Sequence, residues 1–384
     1  MKKLTLMLLG VTFLLTACGG NENQGKTEAK KEEVVKIGAT APLTGPLAIY
    51  GVTATNGSKL AMEEINKNGG VLGKKVDFIV LDSKGDSTEA VMAYNRLVDE
   101  GIVAFVGDAP SKPSLAIAEV AAQDKMPMIT PTGTQFNITE AGSNVFRACF
   151  TDPYQGRILA NFAKNNLKVK TAAIVVNNSS DHSNGVTEAF LKEAAALGIE
   201  VVANEGYSEG DKDFRPQLTK ILPTNPDVLV IPDYYEQVAL ITAQAREVGI
   251  KCTFIGPDGW DGVSKTLDPS AYGVIENSYF TNHYSLDDKS EKVQNFVKAY
   301  RETYKEDPSS FAALSYDAAY MMKAAIEKAG TTEKQAVVDA LKGLEYDGVT
   351  GHLTFDEKNN PIKAVTVLKI VNGKYTFDSI VEAK

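Results

Sequence analysis

The sequence predicts an α/β protein of two similar lobes, each a mainly parallel sheet flanked by helices. Three observations carry this. Apolar runs of strand length alternate with amphipathic runs of helix length along most of the chain. The strand-like runs, such as FIVL (78–81) and VAFVG (103–107), are apolar without strict alternation, which marks strands covered on both faces. The alternation then starts again near the middle of the chain, and repeated strand–helix units of this kind build a parallel sheet between helical layers.

The first twenty residues, MKKLTLMLLGVTFLLTACGG, stand apart from that pattern. Two lysines precede a run that is too short for a comfortable membrane span and has the charge order of a signal peptide, so 1–17 is excluded from fold reasoning. The run ends LLTAC, which resembles a bacterial lipobox in which Cys18 is lipidated and becomes the first residue. NENQGKTEAKKEE (21–33) has no packing residue and reads as a flexible tether, so 18–33 is assigned to the lipidated cysteine and its spacer. The body from Val34, roughly 350 residues, is enough for two domains of ordinary size.

In the body, VVKIGATAPLTG (34–45) is a strand running into a Gly/Pro loop, and GVTATNGSKLAMEEINKNGG (51–70) is a helix stopped by two glycines. VDFIVLDS (76–83) is a second strand. STEAVMAYNRLVDEG (87–101) is a helix with Ser87 as its N-cap. A third strand at IVAFVGD (102–108), a helix at SLAIAEVAAQDK (114–125) and a strand at MPMITP (126–131) complete the first series. The second series has helices at 154–167, 185–198, 215–225 and 235–249 and strands at 171–178, 199–207, 227–233 and 252–258. Two later helices, at 296–307 and 313–330, return by their place in the order to the first lobe. The tail, 351–380, carries alternating strands with a hairpin turn at Asn372–Gly373; sequence leaves open which lobe it joins.

Ligands of open α/β sheets meet the loops beyond the carboxyl ends of the strands. In the first series these loops hold Tyr50 (APLTGPLAIYG), Ser111 (GDAPSKPS) and Thr132, Gly133 and Thr134 (ITPTGTQ). They are neutral, with hydroxyls and amides that suit a carboxylate at a helix start; the alternative readings are an N-cap for Ser111 and a turn hydroxyl for Thr134. The second series offers Asp233 and Tyr234 (IPDYYEQ) and Asp258 and Trp260 (FIGPDGW). An acid can hold an ammonium, and a tryptophan can close over an apolar side chain or simply stack on its own lobe. Carboxylate partners on one lobe and an ammonium partner on the other describe a pocket for a free α-amino acid.

The chain also resembles the Leu/Ile/Val-binding family of ABC-transporter solute receptors, with the class I periplasmic binding protein fold. KIGATAPLTGPLAIYG, AMEEINKNGGVLGKKV, MITPTGTQ, GYSEGDKDFRPQLTKI, DYYEQVALITAQAREVGI, FIGPDGW and YDGVTGHLTFDEKNN carry the resemblance. It implies two lobes joined by three crossovers: 34–152 with 282–361, and 153–281 with 362–384. It further implies a monomer, anchored outside the cytoplasm, that closes on an amino acid and delivers it to permease subunits in the membrane. By position it assigns ligand-binding roles to Tyr50, Ser111, Thr134 and Tyr234, and gives Thr132 the backbone carbonyl facing the ammonium. The family's ammonium-binding acid is often glutamate and falls here on Asp258, one methylene shorter. His182, in SSDHSNG, stands where a tyrosine often reaches the ligand. Trp260 replaces smaller residues, and the family's paired cysteines near the third strand are absent.

Other classes are poorly supported. Charges of both signs are dispersed around a net −9, without a nucleic-acid-binding patch. Cys149 and Cys252 are too far apart to suggest a disulfide scaffold and read as buried free thiols. His182, His283 and His352 form no metal-type pair, no Gly-x-Ser-x-Gly elbow appears, and no phosphate- or dinucleotide-binding glycine motif follows a strand, so neither an enzyme nor a cofactor is expected. The competing reading is a receptor for another small ligand, or a sensory one serving a signalling partner.

Overall fold

The computed structural model describes residues 33–381. The leader, Cys18 and all but the last residue of the tether lie outside them. Among the described residues no helix is long and apolar enough to cross a membrane.

The first sheet is wholly parallel. Strands β1 (Val35–Ala41), β2 (Val76–Asp82), β3 (Ala104–Val106), β4 (Met128–Thr130) and β5 (Val145–Arg147) lie in the order β2-β1-β3-β4-β5. Helices α1 (Ala48–Lys67), α2 (Ser87–Asp99) and α3 (Ser111–Gln123) connect them. The N-cap of α2 is Asp86, not Ser87: Asp86 Oδ1 accepts from the amides of Thr88 (2.8 Å) and Glu89 (3.0 Å), and a carboxylate at this end also favours the helix dipole.

The second sheet repeats the plan. After α4 (Asp152–Asn165) come β6 (Thr171–Asn177), α5 (Asp181–Leu197), β7 (Glu200–Tyr207), α6 (Arg215–Ile221), β8 (Val228–Val230), α7 (Tyr235–Glu247), β9 (Thr253–Gly256) and β10 (Tyr279–Asn282). Strands β7-β6-β8-β9-β10 run parallel in the same relative order as in the first sheet. The chain then supplies α8 (Glu291–Tyr304), α9 (Ser310–Ala329) and α10 (Lys334–Lys342), and a small antiparallel sheet of β11 (Glu345–Gly348), β12 (Gly351–Phe355) and β13 (Pro361–Ile362). Finally β14 (Val365–Val371) and β15 (Lys374–Val381) add to the second sheet antiparallel at β10. Asn372 and Gly373 take φ of +49° and +70° in the two-residue turn between them, the left-handed pair that such a hairpin requires.

Buried side chains fill both faces of each sheet. One core joins β1, β3 and β4 to α1, α9 and α10, and another packs α2 and α3 on the opposite face. Helices α1 and α9 approach so closely at Gly57 that a Cβ there would stand 2.0 Å from the Ala312 carbonyl oxygen. The second sheet carries α4 and α5 on one face and α6 and α7 on the other. The latter core also takes in Tyr50, Ala54, Ala109 and Phe311 from the first lobe, so the lobes meet at the strand-end loops. Cys149 and Cys252 are free; Cys149 is buried, while Cys252 at the start of its strand is only partly covered.

Candidate functional site

Ser111 is the first residue of α3, but Pro110 holds the N-cap position and no side chain caps this helix. The serine hydroxyl turns instead to the loop after β4. Its Oγ accepts from the amides of Thr134 (3.1 Å) and Gln135 (3.3 Å) and lies 3.3 Å from Thr134 Oγ1. Thr132 Oγ1 donates to the Ala109 carbonyl at 2.7 Å, and the Gly133 amide donates to Thr130 Oγ1 at 3.0 Å. The loops after β3 and β4 are thereby tied into one hydroxyl-rich surface beside the unpaired amides of a helix start.

Arg147, wholly buried at the end of β5, supports this surface from behind. Its Nη1 donates to the Gly133 carbonyl (2.8 Å) and its Nη2 to the carbonyls of Gln135 and Phe136 (2.9 Å each). Burial disfavours its charge and lowers its pKa from the ordinary value, so these carbonyls are what keep the guanidinium tolerable in the interior. Sequence reasoning passed over Arg147. The signal was present: a single cation inside the apolar run VFRACF.

From the second lobe, His182 comes from the first turn of α5, Tyr234 from the N-cap position of α7, and Asp258 from the short 3-10 turn Asp258–Trp260 after β9. His182 Nδ1 is 2.6 Å from Asp152 Oδ1 and 3.3 Å from Thr134 Oγ1. Its ring stacks on Tyr234 with centroids 5.0 Å apart. Burial pushes the imidazole down, but the adjacent Asp152 carboxylate, with Asp258 and Asp233 further off, outweighs it and raises the pKa to about 9. His182 is therefore an imidazolium at neutral pH. Tyr234 of the second lobe lies close to Ser111 of the first, so the two lobes approach each other here.

Asp258 is buried, and its carboxylate makes no helix-capping bond. Oδ1 accepts from Gln155 Nε2 at 3.0 Å, and Oδ2 is 3.1 Å from His283 Nε2. The same Gln155 amide accepts at Oε1 from the Asp258 amide (2.8 Å) and from Thr281 Oγ1 (2.7 Å). Burial pushes His283 down to about 4, so it is neutral and donates from Nε2. Two neutral donors orient the carboxylate, and among the described residues no lysine or arginine pairs with it. Asp233 is differently placed: one oxygen takes the Tyr207 hydroxyl, and the other accepts from the Tyr234 amide at 2.7 Å.

Tyr50 crosses from α1 into the second lobe. Its hydroxyl donates to the Gly259 carbonyl and accepts from the Tyr235 amide at 3.3 Å, while its ring stacks on Phe311 with centroids 4.2 Å apart. Trp260 departs from the expected pocket wall. It is fully buried in the second-lobe core, with Nε1 donating to the Ile231 carbonyl at 2.8 Å. The large ring gains more by replacing water with core contacts than by facing a polar cleft.

A cleft of about 420 Å³ lies between the lobes, with Ser111, Gln135, His182, Asp233 and Tyr234 among its lining residues. Of the expected site residues only Ser111, His182 and Tyr234 line it; Tyr50, Thr132, Gly133, Thr134, Asp258 and Trp260 do not and are buried beneath the surface.

Comparisons with known proteins bear on the family and the fold. Residues 34–374 match the periplasmic binding protein family. A Leu/Ile/Val-binding protein, BraC3, of Rhizobium johnstonii is 34% identical over 84% of this chain and 88% of its own length. Among solved structures, the leucine-binding protein LivK of Thermotoga maritima superimposes with a TM-score of 0.83 at 33% identity, covering 90% of this chain and 98% of that one. LivJ of Streptococcus pneumoniae, a branched-chain amino acid transporter substrate-binding protein solved with isoleucine, gives a TM-score of 0.83 at 31% identity, covering 91% and 99%.

Proposed function

The chain belongs to the periplasmic binding protein family, in its Leu/Ile/Val-binding branch, and from that premise we propose that it captures a free, uncharged amino acid of small or medium size between its two lobes. It is an extracytoplasmic solute receptor that serves an ABC permease, not an enzyme. The observation that carries the ligand reading is Asp258: a buried carboxylate oriented by neutral donors and unmatched by any lysine or arginine among the described residues. The first lobe supplies the complementary donors, the hydroxyls and amides around Ser111 and Thr134, which are bonded to one another.

In this reading Ser111 and Thr134 take the α-carboxylate, and Asp258 and the Thr132 carbonyl take the α-ammonium. Gly133 lets the backbone come close, His182 and Tyr234 close the walls, and Tyr50 acts from beneath by holding the second-lobe loop at Gly259. Trp260 acts from the core by fixing the turn that presents Asp258. The lobes are 34–152 with 282–361, and 153–281 with 362–384. Since neither lobe completes the site, ligand binding shifts the protein toward the closed state. Small-angle scattering checks this: the radius of gyration falls when L-leucine or L-isoleucine is added to ligand-stripped protein, and an unchanged radius at saturation contradicts lobe closure.

Cys18 anchors the receptor to the membrane through lipid. LLTAC followed by a polar tether supports this. Native protein is expected to incorporate labelled fatty acid, and Cys18→Ser to abolish the label and leave the precursor unprocessed. A native protein without label contradicts the anchor.

A further inference from the structure

Between the hydroxyl surface and the second lobe lies a buried ion pair that neutral recognition of a carboxylate does not need. The side chains of Asp152 and His182 are each only 1% exposed and meet at 2.6 Å. The pair is incomplete as it stands. His182 Nε2 and Asp152 Oδ2 are buried without a hydrogen-bond partner. Residue 182 also lines the cleft, so its unpaired nitrogen belongs to a group at the ligand's edge.

The neighbours of the ring identify what that nitrogen meets. Thr134 Oγ1 is 3.3 Å from His182 Nδ1 and 3.3 Å from Ser111 Oγ. Tyr234 is stacked on the imidazole, with ring centroids 5.0 Å apart. The hydroxyls of Ser111 and Thr134, both already assigned to a carboxylate, therefore converge with one imidazole edge on one small volume, with the Tyr234 ring against it. With Nδ1 donating to Asp152, the charge held by that carboxylate makes Nε2 a donor as well.

We propose that His182, oriented by Asp152, donates its Nε2–H to the ligand's carboxylate, so that the site reads that group by a full positive charge rather than by neutral donors alone. The proposal rests on the amino-acid reading above and deepens it: His182 is a specificity-determining residue that demands an anionic carboxylate, and Asp152 is a positioning residue that acts through it. Amides and alcohols of the same amino acid still offer an acceptor oxygen but no charge, so their hydrogen bond to the imidazolium is weaker and they bind poorly.

The test compares L-leucine, L-valine and L-threonine with their amides by calorimetry at about pH 6.5, where each probe still carries an ammonium. Wild-type protein and His182→Phe are titrated; phenylalanine keeps a ring against Tyr234 and removes the donor. Because His182→Phe leaves Asp152 unpaired, the double variant Asp152→Asn/His182→Phe is titrated as well. Asp152→Asn alone tests positioning. Loss of a buried charged partner is expected to weaken binding of the acid by about 30-fold or more, and of the amide far less, so that the acid-to-amide ratio collapses. Asp152→Asn lowers the same ratio by a smaller factor. With only three histidines in the chain, the imidazole nitrogen resonances are readily assigned, and His182 Nε2 is expected to shift on ligand addition as its proton enters a hydrogen bond. An acid-to-amide ratio unchanged in both His182 variants, or a His182 Nε2 signal indifferent to ligand, overturns the proposal and leaves the receptor reading in place. Wild-type protein that takes up none of the three acids overturns the receptor reading and this proposal with it.

Discussion

Asp258→Asn weakens amino-acid binding by about 30-fold to several thousand-fold while the protein stays folded. The substitution preserves size and removes only the charge. Truncating one partner of a buried charged pair typically costs about 2–5 kcal/mol, which converts to that range of affinities. The fold survives because the surroundings adapt. Gln155 Nε2 still donates to the retained oxygen, and His283, neutral in its buried position, can change tautomer and accept from the new amide. Calorimetric titration of the variant with its best ligand measures the effect. A loss below about threefold would move the ammonium to another acid. Asp233, which lines the cleft, and Asp152, which has a free oxygen, are then the groups to replace next.

Arg147→Met has the second large effect, reached through the fold. Arg147 touches no assigned ligand partner side chain, but it is the buried donor to the carbonyls of Gly133, Gln135 and Phe136, the loop that presents Thr134. Methionine fills much of the volume and donates nothing. Each buried carbonyl left without a donor costs about 1–3 kcal/mol, so a loss of several kcal/mol is expected against the ~5–15 kcal/mol that holds a typical domain. Any variant that folds also binds more weakly, because Thr134 and its amide lose their support. Denaturant unfolding and titration of the same preparation check both effects. Stability within about 1 kcal/mol of the parent would show that the loop holds itself.

The architecture was legible because it is written in periodicity. Strand and helix runs carry local signals, and the second sheet's repetition of the first is visible as a repeat of those runs. Elements that escaped are ones without such signals. Strand β5 carries Arg147 and β10 is a short stretch set among polar residues, so neither shows the apolar run that marks β3, β4 and β8, and α10 precedes a tail whose strand signals dominate. The candidate site divides on similar lines. Ser111, Thr134, Tyr234 and Asp258 sit in loops right after strands, where an α/β sheet presents ligands. Asp152, Gln155 and His283 acquire their roles only from partners 25 to 103 positions away. Asp152 in particular reads as an ordinary helix start between Thr151 and Pro153, and nothing local marks its contact with His182. Trp260 shows the reverse: its place in a ligand-facing loop suggested a pocket wall, but the hydrophobic driving force drew it inward.

The account stands most directly on one titration. The purified protein is unfolded, stripped of carried-over ligand, refolded and titrated calorimetrically with each of the common amino acids. One-to-one binding of one or more uncharged amino acids is predicted, with little or no heat from aspartate or glutamate, whose second carboxylate would sit near Asp233 and Asp258. Refolded protein that binds none of them, or that binds only the acidic ones, would contradict it.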